Sequence, residues 1–458
     1  MGCEHTIAPF REAPAVSTQC AAQAAFTFRQ DKEIHTDFEA GIISSDAGLL
    51  PLREFDHWIG FSAGIAACLH DNRNPTQITH SLPMLIIQRI YGLIAGYEDQ
   101  NDANLLRHDS LFQLIGGKEH LGDELASQPT LSRFENDVCF SENGALNELL
   151  VESFIDNIEH PPVLIIELDS TDDPAYGQQQ LIKYNGFHGQ YMYHPLLIHE
   201  GLTGAILGTF LRPGEAHSAE NVLTALRPIV QRLKEAFPHT PMQLRADIGF
   251  AGPKLYEFCE SRGIEFTIAA ASNAVYKRHS DDLLDRAVEL AKRTGRKAKL
   301  YEHFPHQAGS WQRHFRVLMK VEAEGDRTNR RFVVTNRPGD PERLFDFYEA
   351  RGNHENMIKE LKLDLKADRL SCHRFEANAF RLVLTALAYQ LLVLFRRRLS
   401  NPALRKATAA TLRERVFKVG ALVGETSRRF WIRFSSSWPN RLLLEQTICD
   451  LRAHPPPA

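Results

Sequence analysis

PPVLIIELDSTDD, residues 161–173, is the stretch on which the fold turns. From Val163 to Leu168 apolar side chains occupy odd and even positions alike, as a strand buried on both pleat faces at the centre of a sheet requires. Working outward, YMYHPLLIHE (191–200) and GAILGTFLRPG (204–214) predict two further strands separated by a Gly-containing turn. SAENVLTALRPIVQRLKEAF (218–237) predicts an amphipathic helix with Ser218 as its candidate N-cap. MQLRADIGF (242–250), PKLYEFCESRG (253–263) and IEFTIAA (264–270) continue as strand, helix and strand. Three hairpin-connected strands followed by strand–helix alternation define an α/β layer on a mixed sheet.

The flanks read differently. From about Gly48 to Ile158 the pattern is helical, as in ITHSLPMLIIQRIYGLIAGY (78–97). Within it, LASQPTLSRFENDV (125–138) predicts a helix opening at Ser127 or Gln128, with Pro129 in its first turn and Thr130, Ser132 and Arg133 following. Such a helix can read a DNA groove as the second helix of a helix-turn-helix; its plain alternative is a capped helix with a solvated polar face. Residues 272–340 interrupt the α/β alternation with a hairpin, WQRHFRVLMKVE and RRFVVTN, turning at Gly325-Asp326. A long helix is predicted from Asp340 and a buried one over 375–398. The expected division is an irregular segment over 1–30, a mainly helical DNA-binding domain over 31–160, a core over 161–271 and 341–400, a β-rich insertion over 272–340, and a basic helical tail over 401–458.

Composition narrows the function classes. Of 458 residues, 43% are apolar and 24% charged, which excludes wholesale disorder. The net charge is only -4, yet from Arg351 onward 20 Lys and Arg face 9 Asp and Glu, a surplus of 11 that suits a polyanionic partner. Seven cysteines without a C-x-x-C pair argue against a disulfide framework and a zinc knuckle, and fit a reducing compartment. No secretory h-region is visible in the first 25 residues. The apolar run Leu382–Phe395 is too short to span a bilayer, so no membrane partner is expected.

Three acids stand out by position. Asp169 closes the first strand, Asp247 closes the fourth, and Glu355 falls on the long helix. Strand-end carboxylates in an α/β sheet line the crevice where ligands bind. Together with one acid from a covering helix they can converge on magnesium, which takes oxygen ligands and keeps several waters. Each acid also has a plain reading, as a turn-former or a solvated helix residue. Tyr348, Arg351, Glu355 and Lys362, spaced 0, 3, 7 and 14, predict one helical face of about 60°, which Lys359, Lys366 and Arg369 widen to about 80°. A phenol, a guanidinium and several ammoniums around a carboxylate suit a metal ligand among DNA phosphates.

These spacings resemble the Y-R-E-K signature of DDE insertion-sequence transposases. ELDSTDD (167–173) and RADIGFAG (245–252) resemble the first and second aspartate motifs of that group, and SQPTLSRFE (127–135) resembles the helical N-terminal region of one bacterial subgroup. The resemblance covers about residues 40–400. It implies an RNase H-like core interrupted by a β-rich insertion, with Asp169, Asp247 and Glu355 as catalytic triad and ligands of Mg2+, for which Mn2+ can substitute. It implies cleavage and strand transfer of double-stranded DNA, both element ends and target, by a homodimer in the synaptic complex. Tyr348, Arg351 and Lys362 would contact terminal phosphates, with Lys359, Lys366 and Arg133 as further DNA contacts. Trp311 would stack on a flipped base or, on the plain reading, anchor the insertion. The setting so implied is the cytoplasm, on the nucleoid. Glu167, Asp172 and Asp173 compete as ligands, although a core-edge acid paired with a base accounts for Glu167 more simply. Arg396–Arg398 face DNA or solvent. Two other classes remain open: a catalytically silent DNA-binding relative, and a carboxylate-pair hydrolase that needs no metal.

Overall fold

The computed structural model describes residues 24–453, apart from Thr27, Gln30 and Glu33. Cys3, Cys20 and almost all of the segment expected to be irregular lie outside the described residues. The N-terminal third carries helices α1 (Leu82–Ala95), α2 (Gln128–Asp137) and α3 (Phe140–Asn157), among shorter ones. There follow β1 (Leu164–Ser170), β2 (Leu196–Glu200), β3 (Ile206–Phe210), α4 (Val222–Ala236), β4 (Met242–Ala246), α5 (Pro253–Ser261) and β5 (Glu265–Ala270). The chain continues through α6 (Asp281–Thr294), β6 (Ala298–His306), β7 (Phe315–Glu324) and β8 (Arg327–Thr335). It ends with α7 (Pro341–Glu349), α8 (Gly352–Leu363), α9 (Phe375–Arg398), β9 (Ala421–Thr426), β10 (Arg429–Phe434) and α10 (Arg441–Ala453).

Eight strands form one sheet in the order β6-β7-β8-β5-β4-β1-β2-β3. β1, β4 and β5 run parallel, and β2 and β3 are added antiparallel beyond β1. β1 is therefore central, as its unbroken apolar run requires, and six of its seven residues are buried. The predicted strand 191–200 is divided at His194-Pro195. Its first half pairs in a separate small sheet and only Leu196–Glu200 joins β1. The insertion extends the same sheet: β8 pairs antiparallel with β5, and β7 and β6 follow outward. Its hairpin turns at Gly325, where φ is +56°, and α6 packs on its strands.

α9 holds the molecule together. It packs against α1, α2, α3 and β3, so the N-terminal helices and the sheet share one apolar core. It spans the predicted 375–398, and its 24 residues are long enough to cross a bilayer, but 94% of its most apolar window is buried inside the protein. Arg89 of α1 and Arg381 of α9 both reach the fully buried Glu135 of α2, which fixes α2 against this core. The tail expected to be helical contains a β ribbon, β9 and β10, whose edge β9 also pairs with Ile43–Ser44.

The long helix predicted from Asp340 is not continuous. Asp340 caps α7 by accepting the Arg343 N–H at 3.2 Å, as expected. The helix then breaks at Ala350-Arg351 and restarts at Gly352. The face computed for one straight helix is therefore replaced by two helical segments meeting at Arg351. Lys366, with φ +57°, and Arg369 lie past the end of α8 and do not continue its stripe.

Candidate active site

Register brings the first two acids together. In the parallel pair β1–β4, Glu167 stands beside Arg245 and Leu168 beside Ala246. One position further along both strands come Asp169 and Asp247, on the pleat face of Glu167 and Arg245. The lower pair is a buried ion pair, and Arg245 also donates to the Phe347 carbonyl at 2.6 Å, tying the strand pair to α7. Glu167 is thus a supporting acid rather than a free ligand.

Asp169 is 8% exposed. Its Oδ1 accepts the Ser170 N–H at 2.8 Å and its Oδ2 accepts Arg351 Nη1 at 3.0 Å. Burial pushes its carboxyl up to about 6; the nearby Arg351 charge opposes this and the like charge of Asp247 adds to it. Asp247 turns the chain out of β4, with Oδ1 accepting the Gly249 N–H at 2.9 Å. Glycine is required there, because a Cβ on residue 249 would stand 2.7 Å from Ser218 Oγ.

Arg351 sits where the two helices meet and is the hub of the site. Burial lowers its affinity for the proton, but Asp169, Tyr348, Asp247 and Glu355 act together in the other direction and prevail. Of the three predicted acids Arg351 contacts Asp169, at 3.0 Å. Glu355 is exposed and lines an open cleft of about 400 Å³ with Asp169, Thr171, Lys359 and Lys362. Among the described residues, no three His, Cys, Asp or Glu side chains stand close enough to hold a metal ion as placed. The donor set still has the chemistry of a hard-cation site. It is all carboxylate oxygen, and Asp247 stands close enough to Asp169 for its like charge to add to the effect of burial on the Asp169 carboxyl. Asp169, Asp247 and Glu355 are the residues that could hold such an ion.

The remaining predicted residues fall in several places. Tyr348 is packed beside Leu318, Val333, Leu344 and Phe345, and burial raises its phenol. Lys362 Nζ is held by the Asp172 carbonyl at 2.7 Å, Asp172 Oδ1 at 3.1 Å and Thr171 Oγ1 at 3.2 Å. This ties α8 to the loop after β1 and commits Asp172 to Lys362. Asp173 is buried, and burial with the neighbouring Asp368 charge pushes it up to about 8. Lys359 is exposed at the cleft, and Lys366 is half-buried past the end of α8. Trp311 sits in a ring cluster with Tyr256, His306 and Phe315 at 5.3–5.6 Å, the geometry of a hydrophobic anchor. Arg133 is exposed on α2, far in the chain from these acids, beside a cleft of about 780 Å³. Arg396 is buried against Glu360, whereas Arg397 and Arg398 are exposed.

One supporting residue escaped the sequence reading. Arg212 is buried, donates to the carbonyls of His194, His217, Ser218 and Glu220, and reaches Ser170 Oγ at 2.8 Å. It shapes the loops around the end of β1. An arginine following the apolar run GAILGTFL was the available signal.

The family model of the transposase DDE domain, group 1, matches residues 26–456, so the chain belongs to that family of DDE transposases. Among solved structures it is similar to a piggyBac transposase in a synaptic complex with hairpin DNA. That match has a TM-score of 0.44 and 11% identity, and covers 81% of this chain and 79% of the other. No curated protein sequence matches the chain.

Proposed function

We propose that this transposase binds the terminal inverted repeats of an insertion sequence and cuts and joins DNA strands at Asp169, Asp247 and Glu355. The observation that carries this reading is that the ends of two adjacent parallel strands set Asp169 beside Asp247, while Asp169 pairs with Arg351 at 3.0 Å and lines one open cleft with Glu355 of the covering helix. The strand order β3-β2-β1-β4-β5 supports an RNase H-like core, with β6–β8 as a sheet-extending insertion. A pair of divalent cations, Mg2+ or its substitute Mn2+, supplies charge stabilisation at the attacking and leaving oxygens of a phosphodiester displacement. Asp169 and Asp247 offer oxygens fixed by strand register, and Glu355 offers one from the exposed α8 side of the cleft. Arg351, paired with Asp169, would be released toward a scissile phosphate when a cation takes its place; Lys359 adds positive charge at the rim. Lys362 and Tyr348 position α8 and α7 rather than presenting free donors. Arg133 is assigned to DNA farther from the cut, and a homodimer to the synapsis of two ends.

The test is cleavage of end DNA with Mg2+ by the wild type and by D169N, D247N and E355Q. Loss of cleavage in each variant with end binding retained is expected; cleavage at the wild-type rate in any of them rejects the triad. A second reading, a silent DNA-binding relative, draws on one observation: Arg351 pairs with Asp169, and no three-ligand group is assembled among the described residues. Metal-dependent nicking by the wild type rules it out, and EDTA-insensitive cleavage would instead favour a metal-free hydrolase.

A further inference from the structure

The basic surplus of the C-terminal third is not used up by the acid site. Part of it is concentrated on the ribbon β9–β10, ALVGETSRRFWIRF over 421–434, which carries Arg428, Arg429 and Arg433 against the single acid Glu425. Cross-strand register sorts these residues onto two faces. Ala421, Val423 and Glu425 pair with Phe434, Ile432 and Phe430; Leu422, Gly424 and Thr426 pair with Arg433, Trp431 and Arg429. The first face is anchored. Ala421 and Val423 are buried, Ile432 and Phe434 pack on the core, and Glu425 is held by His120 Nδ1 at 2.8 Å and the Leu121 N–H at 2.9 Å. The only acid of the ribbon is therefore turned away from the second face and engaged elsewhere.

The second face presents Arg429, Trp431 and Arg433 in alternate positions along an edge strand, all exposed. Trp431 is 47% exposed, and its cross-strand neighbour is Gly424, where an added Cβ would meet nothing within 4 Å. The indole thus lies on an open part of the sheet with a guanidinium to either side, roughly 7 Å away along the strand. Leu422 and Ile43, an exposed cross-strand pair, continue the same face with apolar surface. Arginines alone would suit any phosphate backbone. A half-exposed indole between them also offers a stacking surface, which is of use only to a base already released from its own stack.

We propose that the outer face of β10 is a platform for unpaired DNA, with a base stacked on Trp431 and the flanking phosphates held by Arg429 and Arg433. The proposal rests on the DNA-processing reading above and adds a site remote in sequence from the acid triad. It is tested on the full-length protein with a short oligothymidylate and a blunt duplex as probes. W431A is expected to weaken oligothymidylate binding by roughly five-fold or more while duplex binding is unchanged, and W431F to retain most of it. R429A/R433A is expected to reduce the salt dependence of oligothymidylate binding by about 1.4 in log–log slope, two phosphates' worth. Oligothymidylate binding by W431A equal to wild type overturns the platform. So does equal loss on both probes, or loss of a concentration-dependent self-association that would make this face a contact between copies. Cleavage of end DNA, measured on the same preparations, keeps the two readings apart. Its absence in the wild type counts against the transposase reading, whereas its presence alongside an indifferent W431A defeats only the platform.

Discussion

The two halves of the acid site are built in opposite ways. Asp169 and Asp247 stand at the ends of adjacent parallel strands, above a buried Glu167–Arg245 ion pair that fixes their register. Arg351 and Glu355 stand at a helix break, with Glu355 exposed and Gly352 opening the second segment. The first half is determined by the core and can move only if the sheet moves. The second depends on how two short helices meet, and its geometry can respond to substrate. On the proposed reading the strand ends supply a fixed pair of ligands and Glu355 an adjustable third, and among the described residues no three-ligand group stands ready-made.

The contrast can be broken first at its rigid side. Glu167→Ala leaves Arg245 buried and unpaired, and is expected to destabilise the fold by about 3–5 kcal/mol, read by denaturant unfolding. A loss under 1 kcal/mol would mean that the pair does not fix the strand ends. On the catalytic side, D169N or D247N is expected to reduce end cleavage on the order of 10²–10³-fold with the fold intact, the range for removing one electrostatic contributor. E355Q should lose cleavage comparably but leave thermal stability unchanged, because Glu355 is exposed.

Titration sharpens the comparison. Burial raises Asp169 to about 6, above its ordinary value of 3.8. The folded protein therefore binds this proton more tightly than the unfolded chain. In the metal-free protein, Asp169 favours the fold below pH 4 and that contribution is lost as pH rises through about 6. Cation binding must run the other way, since it needs the ionised carboxylate. Mn2+ affinity is expected to weaken about four-fold between about pH 7.5 and about pH 5.5, and calorimetry on D169N should lose that pH dependence. The smallest effect lies at the hinge. A Cβ on Gly352 meets nothing within 4 Å, so Gly352→Ala should stiffen α8 and stabilise the protein by about 0.5–1 kcal/mol in a thermal melt. Destabilisation would show that the break needs glycine's conformational freedom.

What the chain made legible follows the same division. The central strand could be read because burial on both faces leaves the apolar run Val163–Ile166, with Asp169 just past it, whereas Asp247 follows MQLRA, which mixes Gln and Arg with apolar residues. That Asp169 and Asp247 are neighbours followed from two parallel strands, although only the observed register places them side by side. The helix break could not be read, since Tyr348, Arg351 and Glu355 fit helical spacing whether or not Ala350-Arg351 interrupts it. α6 was missed within a stretch read only as a hairpin, yet its signals were present: Asp281 and Asp282 in its first turn, Leu283, Leu284 and Ala287 at helical spacing, and Gly295 at its end with φ +63°. The ribbon β9–β10 was hidden by its charge. Alternation of Arg429, Trp431 and Arg433 with Phe430, Ile432 and Phe434 is a strand pattern whose outer face is basic. Trp311 shows the limit of reading aromatic residues from sequence, because stacking on a base and packing against Tyr256 and Phe315 require the same side chain.

The central claim is that positions 169, 247 and 355 act on one cation site. The most direct measurement is the anomalous signal of Mn2+ in crystals of the protein bound to element-end DNA. The account predicts a peak in bonding contact with carboxylate oxygens of Asp169, Asp247 and Glu355, with Arg351 turned from Asp169 toward a phosphate. A peak elsewhere, or a Glu355 carboxylate that remains remote from the ion when DNA is bound, would contradict it.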